Sequence, residues 1–342
     1  MRTLPSILFT MALATAFSFR LAAQESAPPS DPKALLAEID AATVEPDKAV
    51  ALKRVRLSAG LATLTLEGKL VPVSPAGGQV REMLFFGQGR IEMPPPDSIE
   101  AGQLELFTGS SSIDETFDQA VLVFGLDRAV EALIKRPVTT LDEAEARQAK
   151  EVYERWKKGP ERELLDVRGA LWSDALGDVT NQNLFVGRFH GQARGDFLYL
   201  VDPQSDEQVT LGQFVAIEAT EKEKRKILRQ LAREQRRGRL IGVELDDLGQ
   251  WDTWVSSSLR SKDGRPVPGA APFEPVRYTL DVTVDDSIEK IRGVAKIELR
   301  PVVAGVRTVE IRLPRDFEVR EVRQGAAKLP FERSGSAHRG VA

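Results

Sequence analysis

The chain contains no cysteine. It therefore forms no disulfide and carries no cysteine for lipid attachment, so any stability must come from ordinary packed cores. Histidine is nearly absent: only His190 and His338 occur in 342 residues. No HExxH is present, nor any histidine pair at helical metal-ligand spacing, so this chain cannot build the common three-ligand catalytic zinc site by itself. GxSxG is missing, and Gly109-Ser110-Ser111-Ser112 lacks the second glycine of that elbow. There is no GxxxxGK[ST] and no strand-linked GxGxxG; Gly87-Gln88-Gly89 reads as a tight turn. A large charge of one sign is also lacking. The net charge of −4 does not favour a nucleic-acid partner.

What is present is a normal globular balance, with 42% hydrophobic and 29% charged residues. The length suits about two domains at ~150 residues each. The first 23 residues read as a secretory signal: Arg2 supplies a weak positive start, and Leu4 to Leu13 is mostly apolar. Small residues offer cleavage after Ala16 or Ala23. A membrane anchor is the plainer alternative, but the run is short and Arg20 interrupts it. Cleavage after Ala23 removes Arg2 and Arg20 and no acid, lowering the net charge from −4 to −6. The reading is an exported protein, periplasmic or extracellular, without membrane association after signal cleavage.

Residues 24–44 read as a linker and a short helix over Lys33–Ala42. Residues 45–255 read as a β-rich α+β module. Its candidate strands are Leu52–Leu57, Leu61–Leu66, Leu70–Val73, Val80–Phe86, Arg90–Met93, Leu104–Phe107 and Ala120–Phe124, separated by glycine, serine and proline turns. Such spacing points to a sandwich or a strongly curved sheet. Thr140 and Glu143 form a capping box, followed by Ala149, Val152, Tyr153 and Trp156 on one helix face. Gly159-Pro160 starts a second helix with a stripe of Leu164, Val167, Leu171, Trp172 and Ala175, stopped by Gly177. Leu184–Phe189 and Phe197–Val201 flank a turn-rich loop from His190 to Gly195, a hairpin pattern. Val209–Ile217 follows as a strand. Thr220 to Arg239 is strongly basic with a thin apolar stripe of Ile227, Leu228 and Leu231. It reads as a solvated surface helix, or as an anion-binding or membrane-surface patch.

Residues 256–275 form a Pro/Gly-rich linker. Beyond it, Val276 to Asp285 alternates strictly between apolar and polar residues, the period of a strand with one buried face. Val294–Leu299, Val309–Leu313, Phe317–Val322 and Leu329–Phe331 follow.

No catalytic, cofactor-binding or metal residue is assigned. His190 could act as a ligand or base only with carboxylates brought close by the fold; otherwise it is a surface histidine. An independent hydrolase using acids around His190 is a further possibility. Asp246-Asp247 and Asp285-Asp286 are adjacent acids, which on a strand point to opposite faces and make no glycosidase pair. Phe197, Tyr199, Trp251 and Trp254 either line a ligand groove or pack a core.

The run Tyr278-Thr279-Leu280-Asp281-Val282, then Gly293-Val294-Ala295-Lys296-Ile297, then Val309-Glu310-Ile311 resembles the opening strands of the N-terminal β domain of the aminopeptidase N family of zinc metallopeptidases. The resemblance covers about the last fifth of the chain and is a strand pattern without a catalytic signature. MLFFGQGRIEMPPP, LELFTGSSSIDETFDQAVLVF and NLFVGRFHGQARGDFLYLVDPQSDEQVTL are similar to a module found ahead of such peptidase regions in some bacterial exported proteins. The resemblance implies that residues 276–342 are the incomplete start of an antiparallel β domain, truncated before the catalytic domain. It further implies a noncatalytic front portion of an exported zinc aminopeptidase-like protein. Zinc and the peptide substrate would belong to the parent's catalytic domain, and this chain alone would hold no cofactor. The rival reading is a periplasmic binding or scaffold module without enzymatic activity, its work done by residues 45–255.

Overall fold

The computed structural model describes residues 31–125, 128–177, 183–216, 249–261, 263, 265–269, 271–285, 290–313, 318–334 and 337–341. The expected signal segment, the basic run Thr220–Arg239 and the pair Asp246-Asp247 lie outside the described residues. The chain is α+β and rich in β.

Eight strands form one sheet in chain order, every neighbour antiparallel: β1 (Val50–Ala59), β2 (Ala62–Pro72), β3 (Glu82–Met93), β4 (Ile113–Phe124), β5 (Phe185–Gly191), β6 (Gly195–Val201), β7 (Val209–Ala216) and β8 (Gly249–Ser257). Of the sandwich and the curved sheet, the curved sheet is the one formed. Tyr199 on β6 reaches the β1–β2 turn, where its hydroxyl donates to the Ala59 carbonyl at 2.7 Å. The same oxygen accepts from the N–H groups of Leu61 and Ala62 at 3.1 and 3.2 Å. Strand six can touch the first turn only if the sheet curls. Burial pushes the Tyr199 phenol's pKa upward, which keeps that donor protonated.

β2 and β3 come unusually close at one pair of residues. Gly68 and Gly87 are cross-strand partners with φ of +152° and +148°. A Cβ on Gly68 would lie 2.2 Å from the Phe86 carbonyl oxygen, and one on Gly87 would lie 2.3 Å from that of Glu67. Only glycine permits that approach.

Both faces of the sheet are covered. The inner face holds a ladder of rings: Phe85–Phe117, Phe117–Phe189, Phe189–Phe197 and Phe197–Trp254, with centroids 4.8 to 5.9 Å apart. Leu104 from α2 (Ser98–Thr108), with Val130 and Leu133 from α3 (Arg128–Ile134), joins this core. The outer face carries Val71, Leu84, Val121, Val123, Val186 and Leu198. Over it lie α1 (Pro32–Ala41), α4 (Glu143–Lys158) and α6 (Val167–Ala175), which contribute Leu35, Ile39, Val152, Tyr153, Trp156, Leu171 and Trp172; the short α5 (Pro160–Leu164) stands between the last two in the chain. Double coverage explains why β4 ends in the unbroken apolar run Ala120–Phe124.

Several expected elements change. Leu104–Phe107, expected as a strand, is the second half of α2. Asp97 caps that helix by accepting from the N–H groups of Ile99 and Glu100, and Gly109 closes it at φ +72°. Val80–Phe86 and Arg90–Met93 merge into β3. The capping box of α4 is Asp142/Glu145, two residues beyond Thr140/Glu143. The second helix breaks into α5 and α6 at Asp166, which sits at φ +46°.

Beyond the proline-rich stretch, β9 (Phe273–Asp285) and β10 (Lys290–Pro301) form a two-stranded antiparallel sheet. A second small sheet pairs β11 (Thr308–Arg312) and β14 (Phe331–Ser334) on either side of β15 (Ala337–Val341). A hairpin joins β12 (Val322–Gln324) to β13 (Ala327–Leu329).

Candidate functional site

Two clusters of polar side chains stand out. The first surrounds His190. The turn expected from His190 to Gly195 is shorter than the sequence indicates, and His190 belongs to β5, opposite Asp196 on β6. Its Nδ1 lies 2.6 Å from Asp196 Oδ1. Arg188 donates from Nη2 to the other oxygen of Asp196 at 2.7 Å, and its Nε lies 3.6 Å from Glu161 Oε1. The fold thus supplies His190 with the carboxylate that orients an imidazole. The His190 side chain remains 56% exposed, on the surface. Among the described residues its hydrogen bonds go to Asp196, with no hydroxyl or thiol nucleophile in the cluster. The observed geometry is that of an exposed His–Asp–Arg ion cluster across β5 and β6. His338 stands in β15, in a different sheet.

The second cluster is buried and was not read from the sequence. Glu82, 4% exposed, opens β3 beneath the helical layer. Its Oε2 accepts from the Tyr153 hydroxyl at 2.9 Å and from Arg162 Nη2 at 3.2 Å; its Oε1 accepts from Trp156 Nε1 at 3.0 Å. The neighbouring Arg81 pairs with buried Asp174 on α6 and donates to the Ala76 carbonyl. Burial and the Glu82 charge both push the Tyr153 phenol's pKa far up, so it stays a donor. Two adjacent residues therefore pin α4, α5 and α6 to the sheet. A cavity of about 10 Å³ lies here, lined by Ser74, Gln79, Arg81, Glu82, Ile39 and Leu171 among others. That is at the lower limit for one water, so the cluster is a lock with no room for a substrate.

A third buried acid, Glu115 on β4, accepts from the Ala193 N–H at 2.7 Å and pairs with Arg194, tying the β5–β6 turn to the end of α2. Phe197, Tyr199 and Trp254 are buried in the inner core, which settles those three as packing. Trp251 stands in β8, opposite Phe214 of β7. Among the described residues no three histidine, aspartate or glutamate side chains come together as a metal site. No helix among them is long and apolar enough to cross a membrane.

The C-terminal strands present a different kind of surface. In the β9–β10 register, Tyr278 faces Ile297, Leu280 faces Ala295 and Val282 faces Gly293. Apolar residues of both strands therefore share one face. On β9, Val276, Tyr278, Leu280, Val282 and Val284 are 54 to 69% exposed. No protein-family profile, curated protein or solved structure matches this chain.

Proposed function

We propose that the chain is the noncatalytic front portion of an exported aminopeptidase N-like zinc metallopeptidase, in which residues 276–342 open the N-terminal β domain. The observation that supports this is the register of β9 and β10. The Tyr-x-Leu-x-Val and Gly-x-Ala-x-Ile patterns lie side by side, and their apolar residues form one exposed face. A two-stranded sheet with such a face is marginal alone and needs another layer over it. In this reading that layer is the remainder of the parent's β domain. Zinc, held in the parent's catalytic domain, would supply Lewis-acid activation of water and of the peptide carbonyl; no residue of this chain is assigned to it. The eight-stranded module would dock or position, and peptide substrate would meet the parent's catalytic domain. Export to the periplasm or the exterior, with no nucleic-acid partner, belongs to the same proposal.

The alternative is a binding or scaffold module complete in residues 45–255. It is favoured by the eight-stranded sheet having both faces covered, the outer one by α4 and α6 of this range together with α1 just before it. Reading the source DNA beyond the codon for Ala342 separates the two. An open frame encoding HExxH and a downstream glutamate is expected from the peptidase reading. A stop codon with no such frame behind it would overturn that reading and leave the scaffold.

A further inference from the structure

The proline and glycine residues before β9 would allow the C-terminal strands to swing freely. Contacts along α6 oppose this. Arg168, at the start of α6, forms a two-pronged pair with Asp40 of α1, Nε to Oδ1 at 2.7 Å and Nη2 to Oδ2 at 2.8 Å. Its third nitrogen, Nη1, donates to Glu332 Oε1 on β14 at 3.1 Å. One turn and a half further along, Ser173 and Thr308 of β11 share a hydrogen bond of 2.5 Å between hydroxyls. Both residues are buried, at 1% and 7% exposure. At the end of the helix Arg307 Nη1 donates to the Leu176 carbonyl at 3.2 Å, placing a cation where the helix leaves unpaired carbonyls. The proline-rich stretch is itself tied down: Arg260 pairs with the α2 cap Asp97 at 2.7 Å, and Ser258 Oγ donates to the Asp206 carbonyl at 2.8 Å.

The order of chemistry along α6 is a cation, then a small hydroxyl, then carbonyls. The C-terminal strands meet it with an acid, a hydroxyl and a cation. We propose that α6 is a docking face for the C-terminal strand unit, and that Arg168 is the latch joining the N-terminal helix, the helical layer and that unit. The contact is polar and about 12 Å long at 1.5 Å per helical residue, so it fixes an orientation and can be released, as inter-domain contacts of this kind are. The inference does not depend on the peptidase reading. A scaffold would use the same seat.

The absence of cysteine gives a clean test on the full chain. The double variant Ser173→Cys/Thr308→Cys brings two thiols to the position of the bonded hydroxyls, within reach of a disulfide. Mild oxidation should cross-link the monomer, read by mass and by mobility without reductant. Thr116→Cys/Gln192→Cys, across β4 and the β5–β6 turn where the Gln192 N–H donates to the Thr116 carbonyl at 2.9 Å and holds the two backbones side by side, serves as the control for a folded sheet. Adding Arg168→Glu should slow the 173–308 cross-link roughly fivefold or more, and adding Glu332→Arg should restore much of the rate. Cross-linking of the control without cross-linking at 173 and 308 would overturn the docking face. An unchanged rate with Arg168→Glu would overturn the latch. Single Arg168→Glu gives a second measure, since cleavage by protease within residues 258–272 should accelerate; unchanged cleavage also counts against the latch.

Discussion

At the scale of single residues the fold's least replaceable polar group is Glu82. Its carboxylate satisfies a phenol, an indole and a guanidinium from two helices, all within the outer core. Removing it leaves Arg162 charged, 7% exposed and without its acid. Glu82→Ala should therefore cost about 3–5 kcal/mol of stability, read from urea midpoints at constant slope. The double variant Glu82→Leu/Arg162→Met removes both charges and should recover a large part of that loss. A single-variant cost below about 1 kcal/mol, the range of a surface ion pair, would show the pair is not buried in solution. None of this was legible in the sequence. Arg81-Glu82 looks like an ordinary charged step before an apolar strand, and what buries it arrives some 70 residues later with Tyr153 and Trp156. His190 was closer to legible. Once the hairpin turn is placed between Gly191 and Gly195, the register sets Asp196 opposite it. The turn formers from Gly191 to Gly195 make the loop look as if it begins at His190, which hides the pairing of His190 with Asp196.

At the scale of elements, period and composition identified the strands that alternate and the helix with one broad apolar face. They misread α2, because Leu104, Leu106 and Phe107 mimic a strand while the helix signal sits in Asp97 and Gly109. Within α2 the packing is thin: Leu104 is buried, whereas Ile99 and Leu106 are about four-fifths exposed, at 77% and 80%. Gly102 lies mid-helix with open space around a would-be Cβ. Gly102→Ala should therefore raise stability by about 0.5–1 kcal/mol through lost unfolded-chain freedom. Gly87→Ala should do the reverse, costing more than about 2 kcal/mol, because its φ and the Glu67 carbonyl both forbid a side chain. The pair makes one thermal-melt experiment with opposite signs. A Gly87→Ala protein as stable as its parent would mean that β2 and β3 do not approach as closely as described.

At the scale of the whole molecule, the acids tied to the fold set its response to pH. The Arg168 fork holds the Asp40 carboxyl's pKa below its ordinary 3.8. The α2 backbone N–H groups and Arg260 do the same for Asp97, as Arg90 does for Asp114. A lowered folded pKa stabilises above the unfolded value, and that stability is lost as pH falls through it. Stability should therefore hold above about pH 5 and decline below about pH 4. Glu100, pushed upward by burial, runs against this locally. Denaturant midpoints from pH 7 to pH 3 check the sign; rising stability on acidification would contradict it. Stability is also unevenly distributed in space. The ladders of β2 to β6 lie between two covered faces, while β9 and β10 pair with each other and leave their apolar face open. Local opening of the hairpin exposes little that is not already wet, so it should cost far less than opening the sheet. Amide exchange followed by mass spectrometry should show β2–β6 protected at least roughly a thousandfold more than β9–β10. The comparison needs two protein concentrations. Protection of β9–β10 that appears only at the higher one would mean the apolar face finds a second copy. Protection equal to that of β2–β6 in the monomer would mean the face is covered in solution by this chain's own residues, and the case for a missing layer would be lost.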